Sequence, residues 1–294
     1  MKRPYFFLLY IVLSLHFLVG CNKDKGTILP PEVELEEVRI ENMAYGDHAR
    51  QRMDVFLPKS RTISTPVLLM LHGGFWVEGD KSSFTAIQQQ LLGMGYVCIN
   101  LNYRYVSADN NYTGLMDDIG AALALVRDHS KEWGIADKGY HLAGFSAGGH
   151  MALLYAYSAK SPGELTSAIS IAGPVGLTED LIGDLASISP EIQEAVQWLA
   201  GAPLPQDEQD PNLVNYQLAS PIFHIQNAVP TLLMHGSSDE VVPFSQSQTL
   251  KTALDHLQVQ NQLVVLQGAS HDVSLAPIHM IQILLELTNW LKAF

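Results

Sequence analysis

Residues 141–157 read HLAGFSAGGHMALLYAY, and the fold turns on this stretch. His141-Leu142-Ala143 closes a short apolar run, Gly144-Phe145-Ser146-Ala147-Gly148 follows, and Gly149 leads into an amphipathic segment ending near Tyr157. That is strand, sharp turn, helix. A G-x-S-x-G pattern in this setting puts the serine on a strained strand-to-helix turn that pushes its hydroxyl out at the top of a sheet. Glycine is required at 144 and 148, because a Cβ would collide where strand and helix cross. The helix behind Ser146 aims free backbone N–H groups and the positive end of its dipole at the hydroxyl. The pattern also arises by chance, so its weight depends on what stands at compatible places elsewhere.

Outward from the turn, strands and helices alternate. Upstream, Val38–Ala44 and Gln51–Leu57 form a hairpin across a polar turn, and VLLML at 67–71 is an apolar run suited to a strand covered on both faces. Lys81–Leu92 reads as a helix, Tyr96–Leu101 as a central strand, and Leu115–His129 as a helix with Leu115, Ile119, Leu123 and Val126 on one face. Downstream, Thr166–Ala172, Thr231–Met234 and Gln262–Leu266 read as strands, with helices at Phe244–Leu257 and Ile278–Trp290. The alternation predicts an α/β fold with a mostly parallel, doubly wound sheet of about eight strands. Residues 174–228 break the rhythm. With one helix expected at Pro190–Ala200, they are too long for an ordinary connection and are expected to form a cap beside the site.

The first residues read differently from the rest. Lys2 and Arg3 precede an apolar run from Tyr5 to Val19, shorter than a bilayer span, and Leu18-Val19-Gly20-Cys21 resembles a bacterial lipobox. The expectation is a lipoprotein signal peptide at 1–20, lipidation of Cys21, a tether over 21–37 and one α/β domain over 38–294. Diacylglycerol plus a further acyl chain supplies the two hydrophobic signals that stable anchoring needs, which points to a membrane-anchored protein of the bacterial cell envelope. Cys98 lies in an apolar run and reads as a buried small hydrophobe, so no structural disulfide is expected.

The formal charge is −13, and losing Lys2 and Arg3 with the leader takes it to −15. That balance argues against nucleic acid as a partner and against polybasic attachment to anionic lipid. No run of His, Cys or acid has metal-ligand spacing, and neither metal nor cofactor is expected.

A serine hydroxyl is a poor nucleophile until a base takes its proton. On an elbow of this kind the partners follow as Ser, then Asp or Glu, then His, each on a loop at the carboxyl end of a strand. His271, in QGASHD after the last strand, occupies that loop. His235 and His72 also end strands, but each precedes a glycine and has a more economical role in shaping its loop; His150 starts the helix behind Ser146. Asp239, in HGSSDEVVP after the strand at 231–234, is the candidate acid, with Glu240 and Asp272 as rivals. It would fix the imidazole tautomer and stabilise the imidazolium. The loop HGGFW at 72–76 follows the third strand, where backbone N–H groups can face a developing alkoxide.

From about residue 38 onwards the chain resembles the α/β-hydrolase superfamily, in particular esterases with an HGG[GFY]W loop, such as the carboxylesterase and acetyl-xylan or feruloyl esterase groups. The resemblance rests on Tyr45-Gly46, MDVFLP at 53–58, His72–Trp76, Asn102-Tyr103-Arg104, Gly144–His150, Asp239 and His271. It implies an oxyanion hole from the N–H groups of Gly74, Phe75 and Ala147, and pocket walls that include Phe75, Trp76 and Tyr103. It implies a serine esterase acting on small-molecule or polysaccharide-linked short-chain esters, without a cofactor. Phenylalanine stands at 75 where many relatives have glycine, and a similar loop with tyrosine occurs in arylformamidases, so amide cleavage by a formamidase or an exopeptidase stays open. A non-catalytic fold used for binding is disfavoured, because all three triad positions are filled.

Overall fold

The computed structural model describes residues 35–158, 163–177, 189–207 and 209–294. The expected signal peptide, Cys21 and most of the tether lie outside these residues.

A hairpin opens the fold, β1 (Val38–Ala44) and β2 (Arg52–Leu57). Then come β3 (Val67–Leu71), α1 (Thr85–Gly93), β4 (Val97–Asn102), α2 (Tyr112–Trp133), β5 (Tyr140–Phe145), α3 (Ala147–Tyr157) and β6 (Leu165–Ile171). The remaining described α-helices and strands are α4 (Pro190–Ala200), α5 (Leu213–Leu218), β7 (Thr231–Gly236), α6 (Phe244–His256), β8 (Asn261–Leu266) and α7 (Pro277–Ala293). The sheet has eight strands in the order β1-β2-β4-β3-β5-β6-β7-β8. The pairs β1–β2 and β2–β4 are antiparallel and all others parallel. This is the mostly parallel, doubly wound sheet of about eight strands expected from the alternation.

The apolar runs form strands because both faces are covered. In β3, Val67, Leu69 and Leu71 join the core shared with α2 and α3, while Leu68 and Met70 join the core under α1 and α7. A side-chain period of two thus feeds one run into two cores. In α2, the stripe Leu115, Ile119, Leu123 and Val126 is buried. Asn111 Oδ1 accepts from Thr113 N–H at its start, and Gly134, left-handed at φ 67°, ends it.

Two elements differ from expectation. Lys81–Phe84 is a single 3-10 turn ahead of α1 rather than its first turn. Asp80 caps it, and Lys81 is held on both sides: its N–H donates to Asn102 Oδ1 at 2.6 Å and its Nζ to Asp54 Oδ2 at 2.7 Å, both groups buried. The cap region, whose residues 178–188 lie outside those described, carries α4, α5 and a 3-10 stretch at Pro221–Asn227 where one helix was expected. Val175 N–H on Gln246 Oε1 (2.7 Å) ties it to the body, and its two ends are tied to each other by Leu177 N–H on Ser220 Oγ (2.8 Å) and Ile222 N–H on the Val175 carbonyl (2.9 Å).

Candidate active site

Strands β3, β5 and β7 are parallel through their shared partners, so their carboxyl ends open on one edge of the sheet. Ser146 stands between β5 and α3 with φ 52° and ψ −120°, a sparsely populated conformation held by its N–H on the Ile171 carbonyl (2.8 Å) and by His150 N–H on its own carbonyl (3.0 Å). The crossing is as tight as the glycines imply. A Cβ on Gly144 would lie 2.2 Å from the Gly148 carbonyl, and one on Gly148 would lie 2.0 Å from that of Leu71.

Three side chains from distant parts of the chain meet at this edge. His271 Nε2 is 3.0 Å from Ser146 Oγ, and His271 Nδ1 is 2.8 Å from Asp239 Oδ2. Of the rival acids, Asp272 accepts from the N–H and hydroxyl of Ser274 and is exposed, while Glu240 is also exposed. The Asp239 side chain is fully buried and accepts from the N–H groups of Val241 (2.9 Å) and Val242 (2.8 Å) on Oδ1. Burial pushes its carboxyl up, but hydrogen bonds from His235 and His271, the His271 charge and the Val242 N–H outweigh it. The group is held well below the ordinary carboxylate range.

His235 does more than shape its loop. Its Nε2 lies 3.1 Å from Asp239 Oδ2 and 2.9 Å from the Val242 carbonyl, and its Nδ1 is 2.7 Å from Ser247 Oγ on α6. A carbonyl only accepts, so Nε2 carries the proton and is shared between carbonyl and carboxylate. Asp239 therefore sits between two imidazoles. The spacing of His235 and Asp239, four residues apart, was a signal in the sequence for this contact.

The HGGFW loop packs against the serine turn: a Cβ on Gly73 would lie 3.2 Å from Ser146 Cβ. Gly74, Phe75 and Trp76 have φ of 117°, 48° and 63° in succession, a left-handed run that non-glycine residues seldom adopt. Among the described residues nothing accepts from the N–H groups of Gly74, Phe75 or Ala147. Ala147 is the first residue of α3, where helix N–H groups have no partner within the helix.

Trp76 and Tyr103 are not pocket walls, which corrects the expectation from the resemblance. Both are 1% exposed. An indole N–H and a phenol must find acceptors when buried: Trp76 Nε1 donates to His150 Nδ1 at 3.2 Å, and Tyr103 Oη donates to the His72 carbonyl at 2.7 Å while its ring stacks on His72 at 4.4 Å. They brace the loop from beneath. Phe75 keeps partial exposure, and the ring of Phe145 lies 5.2 Å from that of His271.

His72 and His150 complete the brace, as neutral imidazoles. His72 Nδ1 donates to the Gly73 carbonyl (2.7 Å), so its Nε2 accepts from Arg50 Nη2 (3.0 Å). His150 accepts from Trp76 and donates through Nε2 to the Ala219 carbonyl of the cap at 2.7 Å. Burial is the main cause that lowers both, to about 4. Arg50 donates further to the carbonyls of Tyr103 (2.8 Å) and Gly79 (3.2 Å), joining the hairpin turn to the loops after β3 and β4. Among the described residues no group of three or more His, Cys, Asp or Glu is placed to hold a metal ion.

Residues 53–254 match the family model BD-FAE, more than half of the chain. The chain belongs to the BD-FAE family. Ser146 and Asp239 fall inside the matched span, and His271 follows it. Esterase LipC of Mycobacterium tuberculosis is 30% identical over 252 residues, covering 81% of this chain and 60% of LipC. The chain thus spans about three-fifths of that relative's length. Among solved structures, a truncated carbohydrate esterase from gut microbiota superposes with a TM-score of 0.71 at 21% identity, covering 87% of this chain and 95% of that one. An inhibited esterase B from Lactobacillus rhamnosis gives 0.72 at 20% identity, with 87% of each chain covered. These two likenesses show the α/β-hydrolase fold.

Proposed function

We propose that this BD-FAE chain hydrolyses short-chain carboxylic esters through an acyl-enzyme. The observation that carries the reading is the hydrogen-bonded series Ser146 Oγ, His271 Nε2, His271 Nδ1, Asp239 Oδ2, at 3.0 and 2.8 Å. Ser146 Oγ attacks the ester carbonyl carbon while its proton passes to His271 Nε2, and Asp239, ionised, stabilises the imidazolium. The N–H groups of Ala147, Gly74 and Phe75 receive the oxyanion, where one such donor is worth ~3 kcal/mol in the transition state. Collapse breaks the bond to the leaving alcohol, which takes the proton from His271. Water then repeats the sequence on the acyl-serine and releases the acid. Every group in the cycle belongs to the chain, so the proposal includes no cofactor.

The named relatives support the choice of esters over other acyl compounds, and the carbohydrate esterase among the structural neighbours supports acetyl or feruloyl groups on polysaccharide as the substrates. Lipid anchoring through Cys21 belongs to the same proposal: an envelope enzyme meets polymers that do not enter the cell. The test is labelling with a fluorophosphonate, followed by turnover of p-nitrophenyl acetate, acetylated xylo-oligosaccharide, a feruloyl ester and N-formylkynurenine. Modification of Ser146 and turnover that Ser146→Ala lowers by about six orders of magnitude, to the background rate, are expected. An unlabelled, folded protein overturns the reading, and faster cleavage of the formyl amide than of every ester replaces esterase by amidase.

A further inference from the structure

On the same edge of the sheet as Ser146, a cleft of about 620 Å³ separates the loop after β4 from α4. One wall carries Asp109, Asn110 and Asn111, and the other Glu194, Gln197 and Trp198. A Cβ on Gly201 would come 2.8 Å from Asn111 Nδ2, so the walls meet at that end. The volume falls in the range of small-molecule sites, about 300–1,000 Å³, and none of these six residues has entered the chemistry at Ser146.

We propose that this cleft binds a neutral oligosaccharide. Trp198 is half-buried and lines the cleft, offering indole surface on which the C–H side of a sugar ring can lie. Around it stand groups that match hydroxyls in both senses. Carboxylates accept, and carboxamides donate and accept. Gln197 uses Nε2 on the Gln193 carbonyl at 3.3 Å, leaving its Oε1, while Asn110 is fixed in the wall by Nδ2 on the Tyr105 carbonyl at 2.7 Å, its Oδ1 against Gly114. Among the described residues neither the Asp109 nor the Glu194 carboxylate has a partner.

Charge narrows the class further. The lining contains two carboxylates and no Lys, Arg or His, in a chain whose formal charge is −13. A uronic acid, sulfate or phosphate on the sugar would meet like charge with no counter-ion, so an uncharged chain is the fit.

The position links the cleft to the proposed ester site, and this part rests on the esterase reading. Leu71 of β3 pairs with Leu101 of β4 on one side and Gly144 of β5 on the other. The ends of β4 and β5 are therefore level, two strand spacings or about 10 Å apart. Val106, directly before the cleft loop, donates its N–H to the Trp76 carbonyl at 3.0 Å, tying that wall to the HGGFW loop. A few sugar rings can span the interval, so the cleft holds the polymer that carries the ester while its acyl group reaches Ser146.

The test is direct binding of unesterified probes to the whole chain, followed by calorimetry and Trp fluorescence. Xylohexaose or cellohexaose should bind, and hexagalacturonate, charged on every ring, should bind at least about tenfold more weakly. Trp198→Ala should weaken the neutral probe by about tenfold or more. Trp198 also packs on the core, so Ala108→Trp, at an exposed position on the opposite wall, is the second variant and should weaken binding similarly by filling the cleft. Failure of both neutral probes to bind overturns the proposal, as does equal binding of the charged one, or binding that neither variant alters. Turnover of p-nitrophenyl acetate by the unaltered chain tests the ester chemistry separately, since unesterified probes need no catalysis to bind.

Discussion

Replacing His235 by leucine tests whether the second imidazole on Asp239 tunes the proposed base or only fills space. The substitution removes the N–H that Asp239 Oδ2 and the Val242 carbonyl share at 3.1 and 2.9 Å. A hydrogen bond to a charged acceptor is worth about 1.5–3 kcal/mol. Because this one is divided, roughly 1.4 kcal/mol falls to the carboxylate, which corresponds to about one unit of its basicity. A more basic Asp239 holds the imidazolium of its partner more tightly, so the acid limb of kcat/KM should move to higher pH by roughly half a unit to one unit. The flanking acids Glu240 and Asp272 are exposed, and the substitution leaves them as they are. On the alkaline side of the limb kcat should fall about tenfold, as Asp239 loses one of its holds. His235→Gln can keep a donor near the same place and should restore part of the limb. Ser247 Oγ and the Val242 carbonyl lose a buried partner, so a stability loss of about 1–3 kcal/mol is also expected. The measurements are a pH profile on p-nitrophenyl acetate between about pH 5 and pH 9 and urea unfolding of each variant. An acid limb in His235→Leu that coincides with the unaltered protein's, under an activity loss equal at every pH, would refute the reasoning and leave His235 a packing residue.

Three other outcomes follow from contacts described above. His72, His141 and His150 are each lowered from 6.5 to about 4, chiefly by burial. Since the fold keeps them neutral while the unfolded chain takes up protons below 6.5, each costs about 2 kcal/mol of stability at about pH 5; urea unfolding should show a steep decline from neutral pH, and a flat profile down to that pH contradicts it. Gly148→Ala places a methyl 2.0 Å from the Leu71 carbonyl oxygen and 2.6 Å from that of His72. Backbone cannot yield there cheaply, so a loss of about 3 kcal/mol or more, read as soluble yield and Tm, is expected, and an unchanged Tm counts against the close crossing. Asp54→Asn breaks the buried pair with Lys81 and should cost about 3–5 kcal/mol, whereas Asp54→Leu with Lys81→Met should recover much of it; equal Tm values for the single and double variants would show that the charge itself does not matter.

What could be read from the sequence was whatever depends on the backbone. Strands buried on both faces are unbroken apolar runs, and their ends put Ser146, Asp239 and His271 on loops at one edge of the sheet, which is why the three could be named before any coordinates. Orientation of side chains was another matter. Trp76 follows two residues that are already left-handed, at φ 117° and 48°, so no periodicity says which way its ring turns; it turned inward because a buried acceptor, His150 Nδ1, was waiting 74 residues away. His150 in turn spends its other nitrogen on a carbonyl 69 residues away in the cap, a region whose short helices leave no lasting hydrophobic period. Arg50 sits in a polar hairpin turn that reads as solvent, yet it reaches His72, Tyr103 and Gly79 on two other loops. These contacts share a cause. A polar group taken out of water must be paired, and its partner is whichever acceptor or donor the topology brings within about 3 Å, regardless of distance along the chain. Local sequence therefore places Ser146, Asp239 and His271, and long-range pairing of buried histidines with carbonyls, indole and guanidinium holds the loops that are proposed to receive the oxyanion. It follows that substitutions at His72, His150 or Arg50, none of which is proposed to touch substrate, should change kcat more than KM.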